Sequence, residues 1–152
     1  MGERKRMPCL ISVTRLRVRS PQFLPMFLIA NERIVGQLRR SRGFRGGKQL
    51  IDRRLVFWTA SSWEDEQAMK EFRSAGAHGH AMPRLPEWCD EAAVVHWEQE
   101  TDLLPDWDAA YARLVGNGRA SRVRHPSSSH QERRYRAPRV GPLQRRIPAR
   151  LR

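Results

Sequence analysis

The sequence predicts an α+β fold of the ferredoxin-like kind, a β-α-β-β-α-β unit with one extra helix at its C-terminal end, and three observations predict it. Runs with a period of two alternate with runs of period three to four from residue 9 to residue 114. The two central strand-like runs are separated only by Arg53-Arg54, which makes them a hairpin. A chain of 152 residues with 39% apolar content fills one core of ordinary size. That order gives an antiparallel sheet with both main helices on one face.

In the first strand, CLISVTRLRV, alternation puts Leu10, Ser12, Thr14, Leu16 and Val18 on one face and Ile11, Val13, Arg15 and Arg17 on the other. Ser20 then caps a helix with Pro21 in its first turn, and Phe23, Phe27, Ala30, Ile34 and Leu38 recur at three or four residues until Gly43. Glu32, Arg33, Gln37, Arg39 and Arg40 form its wet side. FRGGKQLID and LVFWTASSW are the hairpin strands, and Gly46 and Gly47 mark a bulge or a close backbone approach. Asp65 caps a second helix, EDEQAMKEF, whose apolar side is Ala68, Met69 and Phe72; it breaks near Gly76 and resumes irregularly through Pro83 and Pro86. EAAVVHWEQ is the fourth strand. A last helix starts around Asp102 and Pro105 and presents Trp107, Tyr111 and Leu114.

The net charge of +13 divides unevenly along the chain. Residues 119–152 hold 11 Arg and a single acid, Glu132, which leaves the body nearly balanced. Residues 7–116 are the expected domain. Residues 117–152, rich in Arg, Pro and Ser with little apolar periodicity, are expected to be a disordered tail, because burial there does not offset the ordering entropy. Such a tail can hold nucleic acid or another anionic surface, although a GC-rich genome gives the same excess of Arg over Lys. Residues 1–6 read as an extension, or as a start mis-assigned upstream of Met7. Cys9 and Cys89 are too few for a disulfide framework and lack paired metal-binding spacings, which points to a reducing cytoplasm, with one stapling disulfide as the alternative. The longest stretch without a charge, residues 20–31, is too short to span a bilayer, so a soluble cytoplasmic protein is expected.

In a monomer the sheet face away from the helices would expose strand Trp, Phe and Val side chains, so a homodimer is the expected cover. His78 and His80 stand about 200° apart on a continuous helix, and no third ligand stands at a usual spacing, so no metal site is expected. GFRGGK lacks the spacing and the following Ser or Thr of a phosphate loop. A Cys89, Asp90 and His96 nucleophile arrangement competes with a packed thiol beside Trp88.

The stretch FWTASSWEDEQAMKEFRSAGAH has a strand ending in Trp-acid, a short polar cap, and a helix running through Ala and Phe to a Ser and a His. It resembles the corresponding segment of the antibiotic-biosynthesis-monooxygenase superfamily. ISVTRLRVRS followed by FLPMF, the GFRGG strand, and the run from MPRLPEWCDEA to VVHWEQ resemble that superfamily as well, with a more distant likeness to spheroidene monooxygenase. The resemblance covers about residues 8–114. It implies a dimeric α/β barrel, in which two ferredoxin-like units pack their sheets face to face, with a pocket between sheet and helices in each subunit. The superfamily holds cofactor-independent oxygenases of aromatic polyketides, haem-binding and haem-degrading proteins, and isomerases, and the fold does not choose among them.

In an oxygenase without a metal, the substrate supplies the electrons, and the protein deprotonates it, excludes water and holds oxygen against the carbanion. His78, which corresponds to the helix histidine of the superfamily segment, is the candidate acid or base. Trp58, Trp63 and Phe72 are candidate pocket walls, and Arg15 is the candidate holder of an oxyanion. The plainer reading makes the aromatic side chains core and Arg15 an edge charge. The haem-degrading branch uses a helix Trp and an Asn near the end of the first strand; here Phe72 takes the Trp position and the strand offers Ser12 and Thr14, so haem enters only as a group bound through a His. The expected function is a monooxygenase-like protein that binds, and oxidises, a hydrophobic aromatic or polyisoprenoid molecule without a dedicated cofactor. The alternatives are a non-catalytic small-molecule or haem-binding dimer, and an adaptor that holds anionic partners on its basic tail.

Overall fold

Alternation along four runs builds the sheet in the computed structural model, which describes residues 8–52 and 54–150; the N-terminal extension and Arg53 lie outside them. β1 (Cys9–Val18), β2 (Phe44–Ile51), β3 (Val56–Trp63) and β4 (Cys89–Gln99) pair antiparallel in the order β4-β1-β3-β2, the ferredoxin-like arrangement. Register fixes the two faces. Ser12 stands opposite Ser61 and His96, and Thr14 opposite Thr59 and Val94, while Arg15 stands between Trp58 and Ala93. The bulge expected at the glycines is present, with the register of β2 on β3 shifting between Phe44 and Gly46.

α1 (Leu24–Arg40) and α2 (Glu66–Ser74) lie on one face. α1 is preceded by a 3₁₀ turn at Pro21–Phe23, and the Ser20 side chain makes no cap bond; its carbonyl instead accepts the Phe23 N–H at 3.0 Å. Asp65 does cap α2, accepting the Ala68 N–H at 2.8 Å. Two short helices, α3 (Gly76–Ala81) and α4 (Leu85–Trp88), then lead into β4. α5 (Trp107–Asn117), capped by Asp106 on the Ala109 N–H at 2.7 Å, lies on the opposite face, where Trp107, Ala110 and Leu114 meet Ile11, Val13 and Trp58.

Residues 117–152 were expected to be disordered, and through residue 150 they are not. β5 (Arg119–Ala120) extends the sheet beyond β4, α6 (Ser128–Glu132) follows, and β6 (Gln144–Ile147) extends it beyond β2. Composition counts apolar residues and misses open sheet edges. This segment satisfies both edges with backbone bonds, Ser121 N–H to the Ala92 carbonyl at 2.8 Å and Ile51 N–H to the Leu143 carbonyl at 2.9 Å. It adds a fully buried Ile147, and an ion pair from Arg145 to Glu32 at 2.7 Å.

Between its two strands the segment runs along the back face, where the Tyr111 hydroxyl donates to the Tyr135 carbonyl at 2.9 Å and Tyr135 packs on the core. The face expected to need a second copy is therefore covered by this chain's own α5 and C-terminal segment. Cys9 pairs with Gln99 and Cys89 with Val18, at opposite ends of neighbouring strands. Nine residues of strand separate them by about 30 Å, which excludes the stapling disulfide. Among the described residues no helix is long and apolar enough to cross a membrane.

Candidate functional site

A cavity of about 130 Å³ opens between the sheet and the helices α1 to α3. Its floor follows from strand parity: Ser12 and Thr14 of β1, Thr59 and Ser61 of β3, and His96 of β4 line it. Phe27, Ile34 and Leu38 of α1, with Met69 of α2, supply an apolar roof. Hydroxyls below and hydrocarbon above suit a flat molecule with polar edges.

One wall is aromatic. The Trp63 indole donates to the Ser61 hydroxyl at 2.9 Å, Phe72 packs on Trp63 with ring centroids 5.2 Å apart, and His78 packs on Phe72 at 4.9 Å. The His78 ring is fixed by its Nδ1, which donates to the Arg73 carbonyl at 2.8 Å and so leaves the lone pair on Nε2. Burial holds this imidazole below its usual pKa; the Arg73 carbonyl opposes the shift and the Arg73 charge adds to it. His78 is thus a neutral base at pH 7.

The backbone beneath His78 is held by a side chain of α1. Gln37, expected on the wet side of α1, donates to the Phe72 and Ala75 carbonyls at 3.1 and 2.8 Å and accepts the His78 N–H at 2.8 Å. Gly76 has φ +55°, and a Cβ there would come 3.1 Å from the Gln37 side chain, so glycine supplies both the left-handed turn and the room. At the cavity's other end Asn31 and Gln49 exchange amide hydrogen bonds of 3.1 and 2.8 Å. Gln49 also donates to the Thr59 hydroxyl at 3.1 Å and accepts from Arg145 at 3.0 Å. Sequence reasoning missed this polar corner; the signal available was parity, since Gln49 pairs with Thr59 across the hairpin.

Three of the five expected site residues, Trp63, Phe72 and His78, line the cavity, and two do not. Arg15 and Trp58 are neighbours on the opposite face of the sheet, where the guanidinium lies 5.7 Å from the Trp58 ring centroid and 5.2 Å from that of Tyr135. Trp58 and Trp63 are five residues apart in one strand, which puts them on opposite faces. His80 is exposed on a separate open groove beside Met26 and Trp88, away from His78. Among the described residues no three His, Cys, Asp or Glu side chains gather as a metal site. Cys89 is buried, which pushes its thiol up to about 12, and His96 lies seven residues along the same strand, so the Cys89, Asp90, His96 arrangement does not assemble. A cavity of about 130 Å³ is well below the roughly 300–1,000 Å³ of typical cofactor and drug-sized sites, so it does not fit a haem beside His78.

No family model matches the chain, and no curated protein matches it. Solved structures do. The chain is similar to an antibiotic biosynthesis monooxygenase at 13% identity and a TM-score of 0.51, over 63% of this chain and 99% of that one. What the two chains share is the ferredoxin-like fold. It is also similar to a Pseudomonas aeruginosa protein at 12% identity and a TM-score of 0.55, over 64% of this chain and 98% of that one. A Nitrosomonas europaea protein of unknown function matches at 14% identity and a TM-score of 0.54, over 66% and 97% of the two chains. At such identities the monooxygenase likeness is one of fold. Each match takes in nearly all of the other chain and leaves about a third of this one outside it.

Proposed function

We propose that the cavity holds a hydrophobic aromatic molecule bearing hydroxyl or carbonyl groups, and that the protein oxidises it with O₂ as a monooxygenase that needs no dedicated cofactor. The observation that carries this reading is His78: a neutral imidazole with its tautomer fixed by the Arg73 carbonyl, on the aromatic wall of a cavity floored by hydroxyls. Its Nε2 takes a proton from an activated ring C–H or O–H, with substrate oxygens held by the strand hydroxyls and the Asn31–Gln49 corner. The resulting carbanion reduces O₂. A ring CH₂ becomes C=O, the second oxygen atom leaves as water, and all four electrons come from the substrate.

Cavity size favours an aromatic substrate over a polyisoprenoid. A dry protein cavity of ~150 Å³ holds one benzene, so about 130 Å³ encloses a single ring and leaves the rest of a larger molecule at the opening. A cytoplasmic location fits two cysteines that no disulfide joins.

The test is oxygen uptake by the full chain with a polyphenolic panel, read beside ligand binding by quenching of the indole fluorescence. A general base contributes about 10²- to 10⁴-fold; the expected outcome is a fall of that order in His78→Ala with binding retained. Tight binding by the wild type with no oxygen uptake would make the protein a small-molecule carrier.

A further inference from the structure

The back face holds a second cavity, of about 150 Å³, between β1, the β2–β3 hairpin and the chain after α6. Arg15 and Arg17 of β1 line it, with Arg54 from the hairpin and Arg136 and Arg139 from the C-terminal segment. Among the described residues two carboxylates, Asp52 and Glu91, face these five guanidiniums. We infer that this cavity is a binding site for a small dianionic oxyanion, a phosphate taken up either free or as the end group of a metabolite.

The charges inside the protein leave the site unsatisfied. Arg15 is 2% exposed, and among the described residues its Nε has no hydrogen-bond partner and its one carboxylate oxygen, on Glu91, stands at 3.5 Å, long for a charge-assisted bond. Arg17 takes the better share of negative charge: both Asp90 oxygens, at 3.0 and 2.7 Å, and the second Glu91 oxygen at 3.1 Å. Arg54, Arg136 and Arg139 are exposed and form no ion pair among the described residues. Folding has gathered like charges whose mutual repulsion an anion would relieve. Burial pushes the Arg15 guanidinium down in spite of Glu91, as a cation short of counter-charge requires.

The shape suits a phosphate. The rings of Trp58 and Tyr135 lie within cation–π reach of the Arg15 guanidinium and restrain it, which favours binding of two oxygens by its fork. One water needs about 10–15 Å³, and about 150 Å³ admits an oxyanion together with waters that complete its shell. The site exists only while the C-terminal segment crosses the back face, so a bound phosphate would tie that segment to the sheet.

The test titrates the full chain with inorganic phosphate by calorimetry and by thermal unfolding, at ionic strength held constant with sodium chloride, beside the double variant R136Q/R139Q. Both side chains are exposed and remote from the His78 cavity, so the variant is expected to fold, which circular dichroism checks. Expected are saturable binding at one site, a rise in Tm with phosphate, and a loss of affinity of about ten-fold or more in the variant. Binding of equal strength in the variant, or no response beyond that to chloride, overturns the inference. Glycerol phosphate bound more tightly than inorganic phosphate assigns the end group of a metabolite; the reverse assigns the free ion.

Discussion

The protonation of His78 is set by burial, by the Arg73 carbonyl and by the Arg73 charge, and it makes a signed prediction. Its folded pKa lies below the usual 6.5, so between those two values the unfolded chain binds a proton that the folded chain does not. Stability is complete above about pH 6.5 and falls as pH drops through it. Urea denaturation at pH 5.5 and 7.5 should show a larger loss at the lower pH for wild type than for His78→Gln, and equal losses would refute the neutral, half-buried imidazole. Gln37→Leu removes the amide that holds three backbone groups and leaves them short of partners, at a cost of about 1–3 kcal/mol. The same denaturation measures it, and oxygen uptake should fall with it because the base is displaced. His78 was legible from the helix break and the family-like segment. Arg15 and Trp58 were placed wrongly because both faces of β1 carry apolar residues, Leu10 and Leu16 against Ile11 and Val13, so alternation fixed the two sets without saying which faces the helices.

Elements were legible where period and punctuation agree. Asp65 stands three residues before the N–H it accepts, and the helix it begins has only nine residues, so one cap matters there. Asp65→Ala should cost about 1 kcal/mol, read as a shift of the urea midpoint at unchanged slope. The cost should carry to the site, since α2 bears Phe72 and the Arg73 carbonyl that orients His78. Where the sequence failed was β5 and β6, of two and four residues. Strands this short carry no period, and what orders them is the unsatisfied backbone of β4 and β2, a property of the assembled sheet that no local window contains. Gln37 was misread for a related reason: its partners are the carbonyls of a helix break some 35 residues further along the chain, brought to α1 by the tertiary fold.

At the scale of the whole molecule, the back face decides the assembly. Its cluster of Ile11, Val13, Trp58, Ala60 and Val95 is closed off by Trp107, Ala110 and Leu114 of α5, with Tyr135 of the C-terminal segment packed on it. Two copies can pair sheet to sheet only by displacing that cover, and the displacement would also break the bond from the Tyr111 hydroxyl to the Tyr135 carbonyl. The full chain is therefore expected to form no sheet-to-sheet dimer, whereas a chain ending at Gly118 loses β5, β6 and Tyr135 together and exposes part of the cluster. Light scattering behind size exclusion should give a single-copy mass for the full chain at micromolar concentration. For the shorter chain it should give a doubled mass or aggregates, with a lower Tm and stronger binding of a hydrophobic dye. A short chain that stays single and keeps its Tm would mean that α5 alone seals the face, and the C-terminal segment would then owe its order to the two sheet edges and to nothing on the back of the sheet.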